Sequence, residues 1–246
     1  MDCLQAAAHR PWPPPSAPWV MAQRWLDLLF AHWRVDPAAL RPFIPPGLEL
    51  DTYDGSAWLA VVPFRMDRIR ARGLPPLPGL SAFVELNLRT YVARDGKPGV
   101  WFLSLEATHP LAVRFARRTF HLPYMDAEMA CEAGGDGIRY RSERIHRGEP
   151  PAAFRGRYGP AGAVFTAAPG TLEHWLTERY CLHAADEEGR LLMGEIHHAP
   201  WPLQPAWAEI AENTMAEPFG IALHRPPDSL LFARAIVVAL WWPERE

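Results

Sequence analysis

Lysine is almost missing from this chain of 246 residues: Lys97 is its only lysine, and arginine supplies the rest of its 25 basic residues. Chemistry that needs a lysine nucleophile therefore has one candidate. Lys97 falls within Asp95-Gly96-Lys97-Pro98-Gly99, a strong turn signal. A lysine at the tip of such a turn is hydrated and is no nucleophile. Schiff-base chemistry is therefore excluded unless the fold buries this turn.

Cysteine is scarce and long apolar runs are absent. Cys3, Cys131 and Cys181 are widely spaced and form no CxxC pair, which fits neither a disulfide framework nor a zinc site and is typical of a reducing cytosol. No apolar run reaches transmembrane length. The N-terminus lacks the basic region and apolar stretch of a signal peptide. We therefore expect a cytoplasmic protein without a membrane partner.

Several functional motifs are also missing. The net charge of −3 provides no electrostatic footprint for nucleic acid. No G-x-G-x-x-G, P-loop or G-x-S-x-G occurs, which argues against a standard nucleotide cradle or a serine nucleophile elbow. We predict no cofactor and no nucleic-acid partner. The arginine bias and the 27 prolines resemble the output of a GC-rich bacterial genome.

The chain predicts one domain behind a tail. Residues 1–19 are rich in proline, which supplies no backbone N–H, so we expect a tail that is disordered or draped over the surface. Residues 20–246 contain neither a clean linker nor a repeat, and 49% of the chain is hydrophobic, enough for one sizeable core. The economical prediction is a single domain.

Alternating patterns and turn signals predict a mainly β fold with a few short helices, an α+β protein built on antiparallel strands. The predicted strands are Trp25–Val35, Leu48–Thr52, Ala57–Arg65, Phe83–Ala93, Val100–Ala107, Met125–Ala133, Ile138–His146, Ala152–Tyr158, Tyr180–Ala185, Arg190–His198 and Leu230–Trp242. Leu48–Thr52 and Ala57–Arg65 are predicted to form a hairpin around Asp54-Gly55. The predicted helices are Asp36–Arg41, Pro110–Phe120, Leu172–Tyr180 and Ala206–Asn213. Arg65–Arg72 is predicted as a solvated loop that leads into a lid or rim at 75–79.

The segment FVELNLRTYV is the most informative of these strands. Its alternation places Glu85, Asn87, Arg89 and Tyr91 on one face. Pairing Arg89 with Ser104 across the following turn would put Asn87 opposite Glu106, which adds both partners to this polar face. One interpretation is a cavity that holds a small polar ligand, because Asn is depleted in ordinary strands. The other is a face that meets water.

Four segments carry a resemblance to a known family: FVELNLRTYV, GVWFLSLEA, LTERYCL and GEIHHAPWPLQ. With them and the opening LLFAHWRVDPAALRPFIPPGLELDTYDGSAWLAVVPFRM, the chain resembles the bacterial YqjF-like family (DUF2071) from about Gln23 to Trp241. That family is similar in fold to acetoacetate decarboxylase, which implies a closed or partly closed antiparallel β barrel with an internal pocket. The family has no established activity. The lysine of that decarboxylase has only Lys97 as a counterpart candidate here, so the resemblance implies a shape and not the reaction.

A second group of candidates lies in Glu195-Ile196-His197-His198. On a strand, Glu195 and His197 share one face and His198 points away. They could act as a base with its orienting partner, or as two metal ligands with His32 as a third. The simpler alternative is that His197 caps the strand and bonds to the following loop. We predict no metal. Trp201, between two prolines, is expected at a pocket mouth.

Two functions stay open at this point. One is a non-catalytic pocket that binds a small organic carboxylate or carbonyl compound. The other is an enzyme, lyase- or hydrolase-like, in which Arg89 clamps a small carboxylate and Glu85 acts as acid or base. A permanent Glu85–Arg89 ion pair would favour the first. A role in protein interaction comes third and would need a large exposed apolar patch. The pocket residues predicted are Glu85, Asn87, Arg89, Tyr91, Ser104, Glu106, Glu195, His197 and Trp201.

Overall fold

A computed structural model describes residues 6–135 and 137–245 of the chain, so Cys3 and the first five residues of the predicted tail lie outside the described residues. The strands are β1 Met21–Val35, β2 Glu49–Leu50, β3 Ala57–Ala71, β4 Phe83–Arg94, β5 Lys97–Ala107, β6 Tyr124–Gly134, β7 Gly137–Arg144, β8 Ala153–Pro160, β9 Cys181–Ala185, β10 Leu191–His197, β11 Leu203–Asn213, β12 Ser229–Leu240 and β13 Glu244–Arg245. The helices are α1 Pro37–Leu40, α2 Pro110–Thr119 and α3 Leu172–Thr177, with 3₁₀ turns at Arg41–Phe43 and Glu217–Phe219. The mainly β prediction is confirmed.

The strand pairing closes on itself. One circuit runs β4–β5–β9–β10–β12–β1–β3 and returns to β4. A second circuit leaves β5 through β6, β7, β8 and β11 and rejoins at β12. All of these pairs are antiparallel except β5–β6 and β5–β9. We call these the first and second circuits; both use β5, β4, β3, β1 and β12.

The strands shared by both circuits carry apolar residues on both faces, and each face packs into a different hydrophobic core. On β3, Trp58, Val62 and Phe64 pack inside the first circuit, whereas Leu59 and Val61 pack inside the second. Neighbouring strand residues point to opposite faces. The continuous apolar run of β3, which a solvent-facing strand would not have, therefore reflects burial on both sides.

The predicted central hairpin is present, with a shorter turn than expected. Asp95 and Gly96 both have positive φ, 49° and 75°, which is the backbone of a two-residue hairpin turn. Lys97 pairs with Arg94. It is therefore the first residue of β5 and not the tip of the turn.

Three predicted segments differ from the structure in the type or the pairing of their secondary structure. Arg65–Arg72, expected as a solvated loop, continues β3 as far as Ala71 and pairs with β1. Ala206–Asn213, expected as a helix, belongs to β11, because Ala206, Ala208 and Ile210 alternate into the second core while the strand pairs with β8. The Asp54-Gly55 hairpin is reduced to one bridge, since β2 pairs with β4.

Helix α2 forms where predicted, but two of its large apolar side chains are exposed. Leu111 is 66% and Phe115 is 47% exposed, and Val113 is the residue that is buried. The exposed side chains face the proline-rich rim at Leu74–Leu80 and, together with it, line a groove. The apolar pattern of the helix therefore serves a groove and not the core.

The described part of the tail, residues 6–19, is draped over the sheet. The Arg10 side chain is fully buried and donates to the carboxylate of Glu195 at 2.6 Å and to the carbonyl of Ile196 at 2.6 Å. Trp12 donates to the same carboxylate at 3.1 Å. These contacts attach the tail to β10. The division of the chain at Trp19 stays a prediction.

No helix within the described ranges is long and apolar enough to span a membrane.

Candidate functional site

The first circuit encloses a cavity of about 80 Å³, which we call the lumen. Its apolar wall includes Trp25, Phe30, Val62, Phe64, Phe102 and Trp201. Its polar lining consists of Gln23, Glu85, Asn87, Arg89, Tyr124, Thr177, Arg179 and His198. The face of β4 predicted to be polar is therefore turned toward an enclosed space and not toward bulk water.

Glu85 is the acidic group of the lumen lining. It is buried, and Tyr124 donates a hydrogen bond to its Oε2 at 2.8 Å. Burial raises the pKa of Glu85 to about 8, and the nearby Glu106 adds to the rise; the hydrogen bonds from Tyr124 and Asn87 oppose it. The carboxyl is therefore largely protonated at neutral pH and can itself donate a hydrogen bond.

Arg89 is the cation that faces the same space. It is only 9% exposed, and its guanidinium lies 5.5 Å from the ring centre of Phe30 and 5.9 Å from that of Tyr91. Its Nε has no hydrogen-bond partner. Among the described residues, no carboxylate forms a salt bridge with it. Arginine stays charged in proteins, so this charge is buried without a counter-ion within the described ranges.

The Glu85–Arg89 ion pair that would have favoured a non-catalytic pocket is absent from the structure. The two residues are four positions apart on one strand, roughly 13 Å between Cα atoms at the usual rise. A bulge between Leu88 and Arg89 further shifts the pairing with β5. Glu85 instead bonds to Tyr124. The acid and the cation are thus separately available to a ligand.

Arg179 is a second guanidinium in the lining. It donates to Asp51 at 2.6 Å and to the carbonyl of Trp175 at 2.7 Å, while its Nη2 has no partner. Burial lowers its pKa, and Asp51 partly offsets that effect. Its guanidinium lies 4.9 Å from the ring centre of Tyr91, the ring that Arg89 also contacts. The lumen is therefore positive on this side.

Four lumen residues carry a buried polar atom without a hydrogen-bond partner. These atoms are Asn87 Oδ1, Arg89 Nε, Arg179 Nη2 and Trp201 Nε1. Buried polar atoms are nearly always bonded, because an unmade hydrogen bond is costly in a dry interior. Three of the four are donors, as a site for an anionic or carbonyl oxygen requires.

Tyr91 is in contact with the site but takes a structural role. Its hydroxyl donates to the carbonyl of Leu176 at 2.9 Å and lies 2.7 Å from Nε2 of His32. Burial holds the pKa of His32 well below its usual range, and Arg89 acts in the same direction. His32 is therefore neutral and donates from Nε2 to Tyr91. This bond fixes the ring of Tyr91, which the guanidinium groups of Arg89 and Arg179 both contact.

Ser104 and Glu106 were predicted on the polar face, and this prediction is wrong. Leu88 pairs with Ser104 and Leu86 with Glu106, so both polar residues point into the second circuit. There Arg144 Nε donates to Glu106 at 3.0 Å, and both side chains are almost fully buried. The hairpin is offset by one residue from the predicted pairing, which moves side chains to the other face.

Glu195 and His197 do share a face, as predicted, but they lie outside the lumen, under the tail. Arg10 contacts both, at 2.6 Å from Glu195 Oε2 and 3.4 Å from His197 Nδ1. His198, which was expected to point away from the site, lines the lumen and stacks on Tyr180 with ring centres 4.7 Å apart. The alternation was right and the choice of face was wrong.

Trp201 and Lys97 also differ from expectation. Trp201 is buried inside the lumen and packs edge-on against Phe30, with ring centres 4.9 Å apart, instead of standing at a mouth. Lys97 is about one-third exposed, lies outside the lumen lining and forms an ion pair with Glu195 at 3.2 Å. It is thus held by a carboxylate and not simply hydrated.

The alternative of a metal site at Glu195, His197 and His32 is not assembled. His32 bonds to Tyr91 inside the first circuit, whereas Glu195 bonds to Arg10, Trp12 and Lys97. Over the described parts of the chain, no group of three or more His, Cys, Asp or Glu side chains is close enough to hold a metal ion.

Sequence reasoning missed five of the polar lining residues: Gln23, Tyr124, Thr177, Arg179 and His198. Tyr124 directly precedes a strand predicted to begin at Met125, so one residue of extension would have included it. Arg179 follows α3 and approaches β4 only through the closed sheet. The sequence contains no signal for that approach.

The geometry supports two chemical acts. A carboxylate or carbonyl oxygen could accept hydrogen bonds from the free donors of Arg89, Arg179 and Trp201. The protonated Glu85 could donate a hydrogen bond or a proton to a neighbouring oxygen.

Comparison with known proteins adds a family and a fold. The family model of DUF2071, described as an uncharacterised conserved protein, matches residues 22–236. The uncharacterised protein YqjF of Bacillus subtilis (strain 168) is 49% identical over 232 residues, which is 94% of each chain.

Two solved structures show the same fold at low sequence identity. The enduracididine biosynthesis enzyme MppR has a TM-score of 0.62 and 14% identity, over 93% of this chain and 90% of its own. An acetoacetate decarboxylase-like enzyme from Sphingomonas wittichii RW1 has a TM-score of 0.61 and 14% identity, over 98% of both chains. The fold implied by the sequence resemblance, that of acetoacetate decarboxylase, is confirmed.

Proposed function

The chain belongs to the DUF2071 family of uncharacterised conserved proteins, and we propose that it binds the carboxylate of a small organic acid or oxo acid in its lumen. One observation carries the proposal: Arg89 is a buried guanidinium without a carboxylate partner among the described residues. Burying an uncompensated charge is costly. An anionic ligand would offset that cost and is the simplest reason for such a residue to face a cavity.

The protonation of Glu85 supports the same ligand class. An ionised Glu85 would repel a carboxylate, whereas the protonated form, with a pKa of about 8, does not. It can also donate to a carbonyl oxygen of an oxo acid. Asn87 lies between Glu85 and Arg89 on the same face of β4, and its free amide oxygen would suit a hydroxyl or amide group.

The size of the lumen sets an upper limit on what it can enclose. A space of about 80 Å³ holds roughly five to eight water-sized groups. That is the size of a short organic acid or of the head of a longer one. The solved structure of MppR contains the condensation product of pyruvate and imidazole 4-carboxaldehyde, so a protein of this fold binds a molecule made from an oxo acid.

Schiff-base decarboxylation is not proposed. That reaction needs a lysine at the substrate, its pKa lowered by burial or a second cation. The only lysine of this chain is paired with Glu195, outside the lumen lining.

Thermal shift and calorimetric titration with acetate, pyruvate and acetoacetate, against acetamide and acetone, test the binding proposal. We expect the acids to bind and the neutral analogues to bind at least about tenfold more weakly. Arg89→Met should abolish acid binding. Arg155→Met removes an exposed arginine paired with Glu212 on the outer surface and is the matched control. The proposal would be overturned if the parent bound the acids no more tightly than the neutral analogues. It would also be overturned if Arg89→Met bound the acids as tightly as the parent does.

A second candidate function is catalysis, and the protonated Glu85 is the observation that favours it. An acid with a pKa near 8 is suited to exchange protons at neutral pH. In D₂O, proton NMR would show deuterium entering the carbon beside the carbonyl of pyruvate if Glu85 acts as acid and base there. Loss of that exchange in Glu85→Gln, with pyruvate still bound, would assign the enzyme function. No exchange in the parent protein would leave the binding function.

A further inference from the structure

Outside the lumen lies a larger apolar groove, which we call the vestibule. It has a volume of about 430 Å³ and is lined on one side by the rim, with Leu74, Leu77 and Leu80, and on the other by α2, with Leu111 and Phe115. Few polar side chains line it; they include Gln23, Arg70 and His109.

The vestibule concentrates the exposed apolar surface of the protein. Nine large apolar side chains are exposed within the described residues, and these five of the vestibule are among them. Contiguous apolar surface of this kind marks a binding site far more often than scattered exposed residues do. The side-chain pattern of α2 also supports a binding site. Leu111 and Phe115 of this helix face the vestibule, whereas Val113 is buried on its other side.

The vestibule and the lumen have a common wall. Gln23, Leu122, Tyr124, Leu182 and Leu240 line both spaces. Tyr124 reaches from this wall to the carboxyl of Glu85 in the lumen. A molecule whose polar end is held in the lumen would meet an apolar surface if its chain passed between these shared side chains.

We propose that the ligand is amphipathic: a monocarboxylate whose head group occupies the lumen and whose apolar chain, aliphatic or aromatic, occupies the vestibule. The inference deepens the proposed function and rests on it for the head group. The lumen alone is too small for an ordinary ligand, whereas the two spaces together fall within the 300–1,000 Å³ typical of small-molecule sites. A short polar acid would occupy only the lumen and would leave the apolar surface of the vestibule uncovered.

Calorimetric titration with a series of linear acids, from acetate through butyrate and hexanoate to octanoate, tests the assignment. Once the head fills the lumen, each further methylene enters the vestibule. We expect affinity to rise roughly two- to fourfold per methylene, the gain typical of apolar burial. From butyrate to octanoate the affinity should therefore rise at least about tenfold. Octan-1-ol should bind weakly, because it has no charge for Arg89.

Variants separate the two spaces. Leu111→Asp and Phe115→Asp change exposed side chains, so the fold should tolerate them, and each should bring the ratio of octanoate to butyrate affinity close to one. Val164→Asp changes an equally exposed apolar residue (63%) that does not line the vestibule and should leave the ratio unchanged. Arg89→Met should remove the binding of every acid in the series.

The outcomes distinguish failure of the inference from failure of the proposed function. Acids that bind through Arg89 with no dependence on chain length would overturn the vestibule assignment and leave the proposed function standing. No binding of any acid would overturn both. Dimerisation of the parent at rising concentration, abolished by Leu111→Asp and accompanied by equal affinity for all acids, would assign the apolar surface to self-association and overturn the inference.

Discussion

The phenolic oxygen of Tyr124 lies 2.8 Å from Oε2 of Glu85 and donates its hydrogen bond to that carboxyl. Tyr124 is the first residue of β6, a strand of the second circuit, whereas Glu85 lies on β4, which both circuits use. The bond therefore links the wall of the vestibule to the acid of the lumen. The ionisation of Glu85 can be followed through the pH dependence of the free energy of unfolding.

The first prediction concerns stability against pH. Glu85 has a pKa of about 8 in the folded protein and 4.5 as its ordinary value, so between these pH values the folded state holds a proton that the unfolded state has released. Stability conferred by this group is full below about pH 4.5 and is lost as pH rises toward 8. Its loss should be on the order of 3–5 kcal/mol.

Urea unfolding of the parent and of Glu85→Gln at pH 5, 6, 7, 8 and 9 measures this contribution. The free energy of unfolding of the parent should fall relative to that of the variant across this range and level off above about pH 8. Carboxyl groups remote from Glu85 titrate equally in both proteins and cancel in the difference. Parallel curves would show that Glu85 ionises normally.

The second prediction compares two buried arginines. Arg144 is paired with Glu106, so Arg144→Met leaves a buried carboxylate without a partner and should cost about 3–5 kcal/mol. Arg89 has no such partner, so Arg89→Met removes an uncompensated charge and should be neutral or stabilising. Chemical denaturation at pH 7 measures the free energy of unfolding of both variants and of the parent. Equal destabilisation by the two variants would mean that Arg89 has a counter-ion in solution.

The same denaturation experiment gives the coupling of Arg89 to Glu85. In a double-mutant cycle of Arg89→Met and Glu85→Gln at pH 7, the coupling should be under roughly 1 kcal/mol, because Glu85 is protonated and bonded elsewhere. A coupling of several kcal/mol would indicate an ion pair between Glu85 and Arg89 in solution.

The third prediction concerns the tail. Arg10 is fully buried against Glu195, so Arg10→Met should cost about 3–5 kcal/mol of unfolding free energy. Lys97 contacts the same carboxylate from a partly exposed position, and Lys97→Met should cost under roughly 1 kcal/mol. Melting temperatures of the two variants show which substitution destabilises the protein more. If Arg10→Met melts with the parent, the tail is not part of the folded structure.

The fourth prediction concerns covalent chemistry. Incubation with pyruvate or acetoacetate followed by borohydride should produce no added mass on Lys97, because its ammonium group is held by Glu195 outside the lumen lining. Lys97→Met treated in the same way is the control, and mass spectrometry of the peptide is the measurement. A reduced adduct on Lys97 would bring Schiff-base chemistry back into consideration.

Local pattern was sufficient for most strands. The alternation of FVELNLRTYV fixed which side chains of β4 share a face, and the Asp36, His109 and Thr171 caps lie at the helix ends that the sequence indicates. It failed where composition and alternation disagreed. Ala206–Asn213 contains good helix formers, but pairing with β8 and the core contacts of its alternate residues made it a strand.

The register with which β4 and β5 pair could not be predicted from the sequence. Two neighbouring strands can slide by one residue without changing their own alternation, and such a slip moves every side chain to the other face. The two-residue turn at Asp95-Gly96 and the bulge after Leu88 set the actual pairing. Ser104 and Glu106 were therefore placed in the wrong core.

The sequence by itself determined the fold class and the set of side chains that share the polar face of β4, because both depend on residue type and on local spacing. Only the tertiary structure decided which polar residues meet. Arg89, Arg179, Tyr124 and His198 come from β4, the end of α3, β6 and the end of β10, and closure of the sheet brings them around one space. Closure also buries that space, which raises the pKa of Glu85 and leaves Arg89 buried without a carboxylate partner among the described residues.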